Sequence, residues 1–136
     1  MGVVCYTLDG KKTATYQVNN SPLTNNYVMD IIEHQGKVWM ATDGGGICLV
    51  DLASGEFSTL KHTTGDPTSL PFNSITELYK DENENLWLGS VRGGAIHVKE
   101  SYIRTYQDVV MNHHGGLTEK SVTCLYEEPD GRLWIG

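Results

Sequence analysis

Lys37-Val38-Trp39-Met40-Ala41, Asn85-Leu86-Trp87-Leu88-Gly89 and Arg132-Leu133-Trp134-Ile135-Gly136 are three versions of one phrase. Their tryptophans stand 48 and 47 residues apart. Self-similarity at a fixed period marks a repeat architecture. Working outward, Leu23, Leu70 and Leu117 recur at the same period, and each is followed five residues later by Val28, Ile75 or Val122. Gly45-Gly46 and Gly93-Gly94 follow their tryptophans at matching distances, and a small residue (Ala41, Gly89, Gly136) stands two positions after each tryptophan. Gly2-Val3-Val4-Cys5-Tyr6 aligns with Gly46-Ile47-Cys48-Leu49-Val50, and Tyr16 then falls where Leu60 does. The chain therefore reads as starting partway through one repeat and stopping partway through another.

One repeat, residues 75–106, predicts four short strands. Ile75-Thr76-Glu77-Leu78-Tyr79 is rich in β-forming residues. Asp81 to Asn85 is turn chemistry, because Asp and Asn side chains bond nearby backbone groups. Leu86 to Gly89 reads as the second strand, and Gly93-Gly94 permits the positive φ of a tight hairpin. Ala95 to Val98 and Ile103 to Tyr106 complete the set, and no helical period is visible. Four antiparallel strands in about 47 residues describe one blade of a β-propeller. The expected fold is all-β, a partial β-propeller of four-stranded antiparallel blades. It divides as 1–27 (outer half-blade and linker), 28–73 (full blade), 74–121 (full blade and linker) and 122–136 (inner half-blade). In that frame an aromatic on every second strand packs between neighbouring blades, so the tryptophans are core and not a ligand stripe.

Composition narrows the function. A net charge of -7 with only 10 basic residues argues against nucleic acid, since phosphate neutralisation needs clustered Lys and Arg. No run approaches the ~20 apolar residues of a membrane span, so no direct membrane contact is expected in this segment. The first residues lack the basic and apolar stretches of a secretion signal. Cys5, Cys48 and Cys124 are too few for a disulfide framework or zinc site, and each lies in an apolar run as a small hydrophobe.

The stretch His62-Thr63-Thr64-Gly65-Asp66-Pro67-Thr68-Ser69-Leu70-Pro71-Phe72-Asn73-Ser74-Ile75, followed by Leu86-Trp87-Leu88-Gly89-Ser90 and Gly93-Gly94, resembles the two-component regulator propeller repeat. Residues 28–60 depart from it at Met40-Ala41-Thr42 and in a shorter first turn, and 107–121 keeps only Leu117 of the linker pattern. The resemblance implies the periplasmic sensor region of a hybrid two-component histidine kinase of the Bacteroides type. It implies an oligosaccharide signal, with catalysis outside this segment and no cofactor. No kinase phospho-acceptor motif or nucleotide-binding loop is present.

Propellers bind ligands on the face made by second-to-third-strand hairpins and inter-blade linkers. The candidates there are Asp43, Arg92, Asn73 and His113, together with Asn25, Asn26 and His114. Asp43 and Arg92 occupy equivalent hairpins, so they are placed to face one another or a common ligand. A metal is not expected: adjacent histidines such as His113-His114 point to opposite sides of an extended chain, and no further ligand is spaced beside them. The acidic turn 81–85 lacks the Gly and distal Glu of a calcium loop. Two other classes compete with the sensor, a propeller scaffold for protein–protein interaction and a streptogramin-lyase-like propeller enzyme. Finally, half-blades at both ends leave unpaired edges and exposed inter-blade faces, so head-to-tail homo-oligomerisation is expected.

Overall fold

The structure is a computed structural model that describes residues 2–99, 102–106, 117 and 121–136. Strands β1 (Val3–Tyr6) and β2 (Lys12–Tyr16) form a two-stranded sheet. β3 (Val28–His34), β4 (Lys37–Thr42), β5 (Gly46–Asp51) and β6 (Phe57–Leu60) form a four-stranded meander in chain order. β7 (Ile75–Lys80), β8 (Leu86–Ser90), β9 (Gly94–Lys99) and β10 (Tyr102–Tyr106) repeat it, and β11 (Leu125–Glu127) and β12 (Leu133–Ile135) form a final pair. All pairings are antiparallel. The partial propeller expected from the sequence is therefore present: half a blade, two blades, half a blade.

Register makes the repeat geometrical. Trp39 stands opposite Ile32 and Leu49, and Trp87 stands opposite Tyr79 and His97. In the final pair Trp134 stands opposite Tyr126. At the other end, Val3 pairs with Tyr16 as Ile47 pairs with Leu60.

Alternate residues of each strand face opposite sides of a sheet, and in a blade both sides meet a neighbour. Met40 and Cys48 turn toward the first half-blade, with Leu23 and Val3. Trp39, Ala41, Ile47 and Leu49 turn the other way, onto Leu70, Ile75, Leu78, Leu86, Leu88 and Ile96. Two-sided burial explains why β4 and β5 are almost unbroken apolar runs. Beyond the second blade, Trp87 and Tyr79 pack with Ala95, Leu117, Val122, Leu125, Leu133 and Ile135. The tryptophans thus form a burial series. Trp39, packed against a four-stranded sheet, is 8% exposed; Trp87, packed against a two-stranded one, is half-buried; Trp134, in the last sheet described, is 58% exposed.

Three details depart from the sequence reading. The double glycines divide their labour. Gly46 and Gly94 carry positive φ of 78° and 72°, whereas Gly45 and Gly93 serve for space, because a Cβ there would lie 2.6 Å from Thr24 or Ser90 hydroxyl oxygens. The left-handed tip residues are Gly44 and Arg92, at φ 82° and 67°. Secondly, β3 and β7 each carry a bulge, between Val28 and Asp30 and between Ile75 and Glu77. Thirdly, only Cys48 is a buried cysteine. Cys5 and Cys124, in and beside the two-stranded sheets, are exposed.

Candidate ligand face

The β4–β5 and β8–β9 hairpins share one side of the molecule with the linkers that enter β3 and β7. Asp43 is held from every direction. Its N–H donates to Tyr27 O (3.0 Å), its carbonyl accepts from the Asn25 amide, and its Oδ1 accepts the Ser74 hydroxyl at 2.6 Å. Ser74 belongs to the next blade, and its carbonyl also accepts the Val91 N–H (3.1 Å) and the Ser90 hydroxyl (3.0 Å). One residue therefore couples the Asp43 hairpin to the Arg92 hairpin. Sequence reasoning passed over Ser74 because a serine beside a strand start has no signature of its own; its role arises only when two blades meet.

Arg92 is exposed at its left-handed hairpin tip, and among the described residues no ion pair joins it to Asp43. Asn73 is engaged in the scaffold: its carbonyl accepts Gly46 N–H at 2.7 Å and its Oδ1 accepts His62 N–H at 2.7 Å. Asn26 repeats the second bond toward Val18 N–H at 2.9 Å, and Asn25 Oδ1 accepts Tyr27 N–H at 2.8 Å. These bonds are solvent-exposed, so each fixes the path of its linker and contributes about 0.5–1.5 kcal/mol at most. His113 and His114 lie outside the described residues.

The linker signature folds on itself. Asp66 Oδ1 accepts the Thr68 hydroxyl (2.6 Å) and N–H (2.9 Å), so these bonds hold its carboxyl below the usual carboxylate range. The Ser69 hydroxyl accepts Thr63 N–H at 2.9 Å, the His62 ring bonds Leu70 O at 2.8 Å, and His62 stacks on Phe72. Leu70, at 0% exposure, is the anchor these bonds deliver into the inter-blade core. A cleft of about 310 Å³ opens beside the loop, lined by Thr59, Lys61, Thr63, Asp66 and Thr68 among others.

Indole N–H groups are caught at one repeated position, the residue after or at the end of the innermost strand. Trp39 Nε1 donates to His34 O at 3.3 Å, Trp87 to Asp81 Oδ2 at 3.0 Å, and Trp134 to Glu128 Oε1 at 2.7 Å. Asp81 also closes the acidic turn by accepting Asn83 and Asn85 N–H groups. Burial pushes its carboxyl up, but the Trp87 and Asn85 donors outweigh it and the net shift is downward. Between blades, Asp30 Oδ2 accepts Leu78 N–H at 2.8 Å, a contact made by the β3 bulge. Burial and then the Asp30 charge raise the neighbouring Glu77.

Together the meandering four-stranded sheets, the alternating two-sided burial and the linker anchors define an arc of a β-propeller. Residues 69–92 and 116–136 match the family model described as two component regulator propeller. Two solved structures from B. thetaiotaomicron share the fold. The extracellular domain of a protein assigned as the hybrid two component system BT4673 superposes with a TM-score of 0.70 at 21% identity, over 98% of this chain and 19% of that one. The corresponding domain of BT3049 gives 0.60 at 19% identity, over 99% and 22% respectively. The chain thus spans about a fifth of the length of these structures. No curated protein matches the sequence.

Proposed function

We propose that this chain is part of the extracytoplasmic, periplasmic ligand-sensing propeller of a hybrid two-component sensor histidine kinase, and that its signal is an oligosaccharide. The observation that supports this best is that the regulator-propeller match at 69–92 spans the linker anchor, first strand and tryptophan strand of a complete blade. In this reading the segment binds and relays, without catalysis or cofactor, and kinase chemistry belongs to other parts of such a sensor. A fixed carboxylate and a guanidinium on one face suit sugar hydroxyls, which both donate and accept. Asp43 and Arg92 are the contacting pair, Asn73 positions the hairpin, and His113 supplies a further donor or acceptor from its linker.

Calorimetric titration against a panel of oligosaccharides tests the proposal. Saturable binding that Asp43→Ala and Arg92→Ala each weaken by about tenfold, the loss of a hydrogen bond to a charged group, supports it. Absence of oligosaccharide binding beside a robust protein partner supports a scaffold instead, and Mg²⁺-dependent lyase activity supports the enzyme class.

A further inference from the structure

The linker from β6 to β7 brings an aromatic ledge to the candidate ligand face. Both sheets it joins are complete four-stranded blades, so Phe72 stands at an internal junction. It is nevertheless 42% exposed, whereas Leu70, two residues earlier, is fully buried. The ring is held in place by its surroundings. His62 covers part of one face, with ring centroids 6.3 Å apart and planes 16° from parallel, and His62 is itself tied to Leu70 O at 2.8 Å. Phe72 Cδ2 also lies 3.2 Å from where a Cβ on Gly93 would stand, which rests the ring on the β8–β9 hairpin one residue from Arg92.

Packing alone does not ask for an aromatic at this position. Leu23 and Leu70 are equivalent anchors, which places Asn25 where Phe72 stands. A Cβ on Gly45 would meet Asn25 Cβ at 3.0 Å, as one on Gly93 would meet Phe72. Asn25 accepts Tyr27 N–H and donates to the Asp43 carbonyl. A small polar side chain thus closes the equivalent junction, while Phe72 keeps apolar surface in water at a cost of about 25 cal/mol per Å². The rim of the ledge is polar. A carbonyl only accepts, so His62 Nδ1 carries the proton in its bond to Leu70 O, and the neutral imidazole keeps its Nε2 lone pair as an acceptor. Arg92 is exposed, and no ion pair joins it among the described residues. Ser74, two residues beyond Phe72, holds Asp43 by Oδ1.

We infer that Phe72 is the stacking platform of the ligand face, and that it takes the C–H face of a pyranose ring. A pyranose is apolar over one face and ringed by hydroxyls, so an aromatic ring with donors and acceptors at its edge complements it. Arg92 donates to oxygens at the sugar's edge, and His62 Nε2 accepts from a hydroxyl. Because the ledge is held in place before binding, little side-chain entropy is lost when a sugar stacks on it. The inference rests on the proposed oligosaccharide-sensing role. It adds a contacting residue beyond Asp43 and Arg92, and it makes the flat face of a six-membered ring the feature selected.

Calorimetric titration with cellotetraose, xylotetraose, mannotetraose and galactotetraose selects the best-bound probe, on which the Phe72 variants are compared. Phe72→Ala is expected to weaken binding by about tenfold, and Phe72→Leu, apolar but not flat, by nearly as much. Phe72→Trp keeps a flat ring and is expected to stay within about threefold of the wild type. Circular dichroism checks each fold, and the Leu–Trp comparison carries the test if Phe72→Ala does not fold. In saturation-transfer NMR, irradiating the protein's aromatic protons is expected to reach the probe's ring C–H protons, and Phe72→Leu to remove most of that transfer. Binding that survives both Phe72→Ala and Phe72→Leu overturns the inference and leaves the sensing role standing. Affinity lost with alanine but kept with leucine overturns stacking in favour of a plain apolar contact. No saturable binding of any probe overturns this inference together with the sensing role.

Discussion

Leu70 offers the sharpest test of the blade junction. It is fully inaccessible, and its side chain sits among Trp39, Ile47, Ile75, Leu86 and Ile96 from two sheets. Truncation to alanine removes about three methylene equivalents, or about 2.4 kcal/mol at ~0.8 kcal/mol each. The cavity adds to this, because two four-stranded sheets cannot collapse onto it freely, and the total is expected at about 3–4 kcal/mol. Leu117 occupies the same repeat position but is only half-buried, against a half-blade, so Leu117→Ala is expected to cost about 1 kcal/mol. Urea unfolding followed by tryptophan emission reads both. If Leu70→Ala leaves too little folded protein, Leu70→Val is expected to cost about 1 kcal/mol. Equal losses for Leu70→Ala and Leu117→Ala, or a loss below about 1 kcal/mol for Leu70→Ala, would refute the view that this leucine is the linker's anchor.

Two further predictions concern backbone and charge. Gly46 and Gly44 both have positive φ, but a Cβ on Gly46 would lie 2.3 Å from Leu60 O whereas one on Gly44 meets nothing within 4 Å. Gly44→Ala is therefore expected to cost about 1–2 kcal/mol from backbone conformation alone, and Gly46→Ala clearly more, as thermal melts would show. Asp81 and Glu77 are shifted in opposite directions, so their pH signatures oppose. The depressed Asp81 contributes stability that is present above its unfolded pKa and lost as pH falls through the folded one. The raised Glu77 loses stability as pH rises from the unfolded to the folded value. Stability measured from pH 3 to 7 is expected to show Asp81→Ala losing its acid-side dependence, and Glu77→Gln gaining at neutral pH with no gain below about pH 4.

Much of this architecture is legible in one dimension because each blade is made of consecutive strands. A meander needs only local turns, so strand order and the pairing of each tryptophan with its neighbours follow from spacing. Asp43 and Arg92 could be located on hairpins for the same reason. The face they share was less legible. Asn73 stands out in the sequence, yet its hydrogen bonds hold the linker; Ser74 does not stand out, yet it joins the two hairpins. The bulges that bring Asp30 to Leu78 N–H left no pattern, because an extra residue in a strand is indistinguishable from a longer strand until a partner is paired with it.

The blade and its strand count are written in the sequence, because both depend on periodicity and turn chemistry within about 47 residues. Tertiary structure decided how each repeat of the same residue behaves. Trp39, Trp87 and Trp134 are equal in sequence and unequal in burial, since burial depends on what stands across the junction and not on the strand that carries the ring. The same physics separates a glycine kept for its φ from one kept for its space.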